Sequence, residues 1–218
     1  MAAAHDLLLL DLDGTISDPL VGIGRSINHA LCHFGFAPLE MSQVPAYIGP
    51  PLDESFRALT GITDAEQIGA FVAKYRERYA QVGYAENELY PGISEAIERL
   101  SAAGVPLGVC TSKRVDFAER ILRMFGLHEH FAFVSGGEIG THKWQQIERL
   151  LADGRITRSA AMVGDRAVDI TAAHRNGLSA AGVLWGHGPR EELEREQPRY
   201  LLSAPAQLPT LVGNEMEV

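Results

Sequence analysis

Cysteine is scarce in this sequence, with Cys32 and Cys110 the only two among 218 residues. Two thiols in a chain of this length do not build a disulfide framework, which points to a reducing compartment; both are expected as small buried apolar residues. Positive charge is also in short supply. Nineteen Lys and Arg stand against 28 Asp and Glu, a formal charge of −9, and no basic run is present. Proteins that bind DNA or RNA polymers draw affinity from basic patches that release counterions, so a nucleic acid polymer is not an expected partner. A small phosphorylated ligand stays open, because a few well-placed donors hold one phosphate whatever the net charge. Long apolar runs are missing as well. The run nearest the N-terminus, Leu7–Leu10, follows Asp6 and no basic residue. It is too short for a signal core and far too short to cross a bilayer. No membrane partner is expected, and the cytoplasm is the expected location.

What is present fits an ordinary globular chain, 46% hydrophobic and 22% charged, long enough for one principal core with room for an insert. Apolar runs bounded by turn residues read as buried strands at Leu7–Leu10, Val105–Cys110, Ala132–Val134, Ala160–Val163 and Ala180–Leu184. Helical patterns separate them: Ile93–Ala103, the stripe Phe117, Ile121, Leu122, Phe125, then Trp144–Leu151 and Val168–His174. This alternation predicts an α/β fold, a Rossmann-like doubly wound parallel sheet. Between Leu10 and Val105 the rhythm breaks. No clear strand is visible there, only helical segments at about Leu20–Phe34, Leu52–Leu59 and Asp64–Val82. Residues 1–16 and 89–218 are therefore expected as the core domain and 17–88 as a small all-α cap inserted after the first strand. Within the last cap helix, Ile68, Phe71, Val72, Tyr75 and Tyr79 recur at helical spacing and read as packing rather than a ligand site.

Polar clusters fall at or near the strand ends. The first strand runs into Asp11, Leu12, Asp13, Gly14, Thr15, and alternation along a strand puts Asp11 and Asp13 on one face. Two carboxylates so close need a cation, a shared proton or a role in which one is protonated; a plain Asp-Gly turn is the alternative. Thr111, Ser112 and Lys113 follow the second strand, as an oxyanion-binding helix start or a simple N-cap. Asp165 and Asp169 follow Gly164 one helical turn apart, so both can face one space; helix-start charge is the alternative. Lys143, after Gly140, Thr141 and His142, opens the helix before them, where a lone lysine is usually surface. In an open parallel sheet, ligands gather beyond the carboxyl ends of the strands.

Taken together, DLDGT at 11–15, Thr111, Lys143 and GDRAVD at 164–169 resemble the four motifs of the haloacid dehalogenase superfamily. CTSKR, GDRAVDITAAHRNG and GVLWGHG are similar to its phosphoglycolate phosphatase-like branch, although Arg114 stands where that branch often has proline. The resemblance implies a phosphatase acting on a small phosphorylated metabolite, with Asp11 as nucleophile and Asp13 as general acid and base. It implies Mg²⁺ held by Asp11, by Asp13 through its backbone carbonyl and by Asp165, with Asp169 holding the metal's waters or orienting Lys143. It makes Lys143 and Thr111, with Ser112 as a further donor, the groups that hold the transferring phosphoryl. Phosphoglycolate, a 5′-nucleotide and a sugar phosphate all remain open as substrates. A phosphomutase uses the same motifs; the second aspartate, Asp13, argues against a dehalogenase, and intact motifs argue against a non-catalytic module. Monomer or homodimer is the default.

Other features are weaker. Arg25 and Asn28, early in the first cap helix, face either substrate or solvent. His29 and His33 sit at helical spacing without the acidic residue of a metalloprotease motif. His142 and His187 read as surface residues, and the acidic stretch from Glu191 to Glu196 as a solvated helix.

Overall fold

The computed structural model describes residues 5–213; the ends of the expected core, 1–4 and 214–218, lie outside them. The first apolar run forms β1 (Leu8–Leu10), whose three leucines are wholly buried, as a strand covered on both faces requires. The chain then leaves through a two-residue strand, β2 (Ser17–Asp18). It builds helices α1 (Leu20–His33), α2 (Leu52–Thr60) and α3 (Ala65–Gln81), and returns through β3 (Glu88–Leu89). β2 and β3 pair antiparallel, Ser17 opposite Leu89 and Asp18 opposite Glu88. The expectation of no strand before Val105 is corrected here: the outgoing and returning chain are joined in a short ribbon. Two-residue strands carry no periodicity to read.

Strict alternation follows: α4 (Ile93–Ala102), β4 (Leu107–Cys110), α5 (Val115–Met124), β5 (Phe133–Ser135), α6 (Lys143–Ala152), β6 (Ala161–Gly164), α7 (Ala167–Arg175), β7 (Ser179–Val183), α8 (Arg190–Arg195) and β8 (Tyr200–Leu202). β1 and β4–β8 form one parallel sheet in the order β5-β4-β1-β6-β7-β8. The fold is α/β, a Rossmann-like doubly wound sheet. Its sixth strand, β8, was not expected; only Leu202 of its three residues is fully buried, so this edge strand lacks an apolar run. Strand order reverses at β1, and the carboxyl ends of β4, β1 and β6 meet at that switch point.

Two cores cover the sheet. Leu8, Leu10 and Leu12 pack with Ile97, Ile121 and Val163 on one face, and Leu9 packs with Ile147, Met162 and Ile170 on the other. A third cluster joins Ile27, Phe56, Phe71 and Tyr79 of the three inserted helices, and takes in Phe117 of α5. Asp64 caps α3, accepting from the Gln67 backbone N–H at 2.8 Å. Both cysteines are free, Cys110 buried as expected but Cys32 exposed, because position 32 falls on the outer face of α1. α8 is not simply solvated: Leu193 is buried, and Glu192 accepts from Arg166 and from the Ala167 N–H that opens α7. Among the described residues, no helix is long and apolar enough to cross a membrane.

Candidate active site

Beyond β1 the chain stays in the sheet for one more residue, the Asp11 N–H donating to the Val163 carbonyl at 2.9 Å. It then turns, with the Leu12 carbonyl accepting from Ile16 and Ser17. Since Leu12 points into the core, Asp11 and Asp13 both reach one chamber at the carboxyl edge. Asp11 is nearly inaccessible. Its Oδ1 accepts from the Leu12 N–H at 2.8 Å and its Oδ2 lies 2.8 Å from Lys143 Nζ.

Lys143 is the first residue of α6 and is buried rather than on the surface. It also pairs with Asp169. Burial alone would favour the neutral amine, but the Asp11 and Asp169 carboxylates outweigh it and hold the ammonium above the usual lysine range. Asp169 is fixed in turn by the Arg166 N–H at 3.0 Å. Its own pKa is pushed up to about 6, by burial first, with Asp11 adding and Lys143 opposing.

Asp165, at the end of β6, has no exposed surface. Its Oδ2 accepts from the His187 N–H at 2.8 Å, while its Oδ1 has no hydrogen-bond partner. Burial, reinforced by Asp169 and Asp11, pushes it up to about 8. Gly14 makes this packing possible: its φ is +81°, and a Cβ there would stand 2.2 Å from Asp165 Oδ2. The Gly-rich loop after β7 closes the other side, and a Cβ on Gly186 would come within 2.5 Å of the same oxygen. This corrects the surface reading of His187. Its backbone holds Asp165, and its Nε2 lies 3.0 Å from Asp18 Oδ1. Trp185 in the same loop donates to the Thr15 carbonyl at 3.0 Å.

Asp11, Asp165 and Asp169 each offer a carboxylate oxygen, all within 4.8 Å of one another. Three acidic oxygens with an unpartnered atom on Asp165 suit a hard divalent cation. The Asp13 carboxylate lies outside this group; its Oδ2 is 2.8 Å from Lys113 Nζ. Thr111 is buried beside them, its carbonyl accepting from Gln146 Nε2 at 3.1 Å. Ser112 is half-buried on the chamber wall. Gln146 drew no notice in the sequence, although it is buried one turn after Lys143 on the same face of α6 and also accepts from the Ser135 hydroxyl at 2.9 Å.

The inserted helices supply the chamber roof. Tyr47, Tyr75 and Tyr79 line it, joined by Phe117 and Arg114 from the core side. The apolar stripe of α3 thus does more than pack: Tyr75 and Tyr79, its C-terminal members, reach both the cluster of the inserted helices and the chamber. Arg76 lies on the same wall and makes no hydrogen bond or ion pair with the described residues. Arg25 and Asn28 border a separate concavity. Arg25 pairs with Glu86 at 2.7 Å and Asn28 brackets the backbone of Leu39.

The model of one protein family, described as haloacid dehalogenase-like hydrolase, matches residues 8–183. The chain belongs to that family. Within it, the chain is 38% identical over 203 residues to a 5′-nucleotidase of Pseudomonas aeruginosa, covering 91% of each. It is also 38% identical over 194 residues to the tyrosine-protein kinase PtkA of Mycobacterium tuberculosis, covering 87% of this chain and 65% of that longer protein. Relatives named phosphoglycolate phosphatase match as well, one from Agrobacterium fabrum at 31% over 199 residues, covering 86% of this chain and 85% of that protein. Among solved structures, a predicted phosphatase from Clostridium acetobutylicum superposes with a TM-score of 0.89 at 30% identity, covering 94% of this chain and 97% of that one. In this haloacid dehalogenase-like hydrolase, the clusters read from the sequence as family motifs all reach the switch point of one sheet.

Proposed function

We propose that the protein is a magnesium-dependent phosphatase of small phosphomonoesters, acting through an aspartyl phosphate on Asp11. The observation that carries this reading is the different pairing of two neighbouring carboxylates. Asp11 faces Lys143 at 2.8 Å and the acidic group of Asp165 and Asp169, where a cation and a phosphoryl group can meet it. Burial raises the pKa of Asp13, Lys113 opposing it, and a carboxyl poised in this way suits proton transfer.

An Asp11 oxygen attacks phosphorus, the ester P–O bond breaks, and the leaving alkoxide takes the proton of Asp13. Water then attacks the phosphoryl group, gives its proton to Asp13, and frees Asp11 and inorganic phosphate. Lys143, the Thr111 hydroxyl and Ser112 offset phosphoryl charge throughout. Mg²⁺, held by Asp11, Asp165 and the Asp13 backbone carbonyl, supplies electrostatic stabilisation of that charge; Asp169 orients Lys143. The cap of residues 17–88 covers the chamber and excludes water. A cytoplasmic location agrees with the two unpaired cysteines.

The aromatic lining of the chamber by Tyr47, Tyr75 and Phe117 favours a 5′-nucleotide over phosphoglycolate, because a nucleobase offers these rings a flat apolar face and a two-carbon leaving group does not. This ranks the alternatives differently from the motif resemblance. The test is phosphate release from a panel of esters with and without Mg²⁺, in wild type and Asp11→Asn. Release should need the metal and vanish in the variant. Isomerised ester without inorganic phosphate would indicate a mutase, and phosphate passed from ATP to a protein tyrosine would indicate a kinase.

A further inference from the structure

Lys113 donates to no reacting atom in the reaction just described, yet its side chain is only 6% exposed and its ammonium lies 2.8 Å from Asp13 Oδ2. The same ammonium donates to the Tyr79 hydroxyl at 2.7 Å and stands 4.5 Å from the centroid of the Tyr79 ring. The contacts do not stop there. Asn87 Nδ2 donates to the Tyr79 hydroxyl at 3.3 Å, and Asn87 Oδ1 accepts from the Ser17 hydroxyl at 3.1 Å. Ser17 belongs to β2 and Asn87 immediately precedes β3. A buried polar chain therefore runs from Asp13 in the core, through Lys113 and α3 of the cap, to the ribbon where the chain passes between the two.

We propose that Lys113 is a positioning residue for Asp13, holding the carboxyl in its proton-donating orientation when the cap brings Tyr79 against it. The inference rests on the reading of Asp13 as general acid and deepens it. An aspartate with one oxygen held has a single free oxygen, and Asp13 Oδ1 is buried with no hydrogen-bond partner. A charge pair at this depth is stronger than one in water, and the Tyr79 hydroxyl holds the ammonium in place. Two of its three N–H groups are taken by Asp13 and Tyr79, so orientation is a better use of it than phosphate binding. A catalytic group left free to rotate loses the near-attack geometry on which its contribution depends.

The test compares two esters. Expulsion of p-nitrophenolate needs little protonation, whereas an alkoxide such as the ribose 5′-oxygen of a nucleotide needs a proton, and kcat/KM reports the step in which it is expelled. Lys113→Met, which keeps the apolar stem, is expected to lower kcat/KM for the nucleotide about 100-fold. The same variant should lower kcat/KM for p-nitrophenyl phosphate by less than about 5-fold. Tyr79→Phe should show the same selectivity at about 10-fold, the worth of one hydrogen bond; it carries the test alone should Lys113→Met not fold. Asp13→Asn is the reference. If it discriminates between the esters while the Lys113 and Tyr79 variants slow both equally or neither, the positioning role is refuted and the acid stands. If Asp13→Asn does not discriminate, the acid assignment falls, and this inference with it.

Discussion

At Asp165 a carboxylate is wholly buried beside two others, and the pH dependence of stability follows from that crowding. Its pKa lies at about 8, against about 3.9 in an unfolded chain. A raised folded-state value means that the native protein binds the proton more tightly, so this group's contribution is full below about pH 4 and is lost as pH rises through about 8. Without divalent cation, the melting temperature of wild type should therefore fall more steeply over that window than that of Asp165→Asn. Parallel curves would contradict the assignment. Because a metal ligand must be deprotonated, the stabilisation conferred by Mg²⁺ should grow across the same window. Lys143 is the cation that faces this crowding. Lys143→Met leaves Asp11 and Asp169 facing each other without their cation, at an expected cost of about 3–5 kcal/mol in metal-free protein. Saturating Mg²⁺ should recover part of that in denaturant titrations; an equal loss with and without metal would show that no ion enters the site.

At the scale of elements, α6 does two jobs through one face. Lys143 reaches the acidic group, and Gln146 one turn later ties the ends of β4 and β5 together through the Thr111 carbonyl and the Ser135 hydroxyl. Gln146→Leu strands both partners in the interior, so a loss of about 1–3 kcal/mol is expected, together with a fall in kcat larger than the change in KM as Thr111 drifts. Unchanged kcat would mean that Thr111 needs no such support. The helices and the long strands of this molecule were legible because their patterns repeat. Leu7–Leu10 and Ala160–Val163 are unbroken apolar runs, and α3 shows its stripe from Ile68 to Tyr79. β2, β3 and β8 were not legible, since two or three residues of mixed burial have no period. Gln146 was missed for a related reason: a buried glutamine looks like a surface one until its partners are known.

For the whole molecule, the relation between the proposed cap and the core rests on few polar ties. Arg166, one residue after Asp165, donates across the boundary to the carbonyls of Ile48 and, at 3.3 Å, of Pro45, while Glu192 braces it from behind at 2.9 Å. His142 at the start of α6 stands 3.7 Å from Glu54 of the cap. Arg166→Met should loosen the lid without touching the phosphate site. The expected outcome is a KM several-fold higher for a nucleotide, little change for inorganic phosphate as inhibitor, and a larger radius of gyration by small-angle scattering. An unchanged scattering profile with unchanged KM would show that this tie does not govern closure.

By itself, the sequence determined the layering of the fold and the residues offered to the site, because burial on both faces of a parallel sheet demands apolar strands and ligands gather at their carboxyl ends. It also showed a helical interval where a strand was due, and α1, α2 and α3 fall in that interval. Which of those residues act together was decided only by tertiary structure. Asp11, Lys143, Asp165 and Asp169 come from three separate strand–helix junctions, and convergence depends on strand order, which no local pattern encodes. The same holds for Lys113 and Tyr79, 34 residues apart in the chain, each ordinary in its own segment and joined only when the cap folds onto the core.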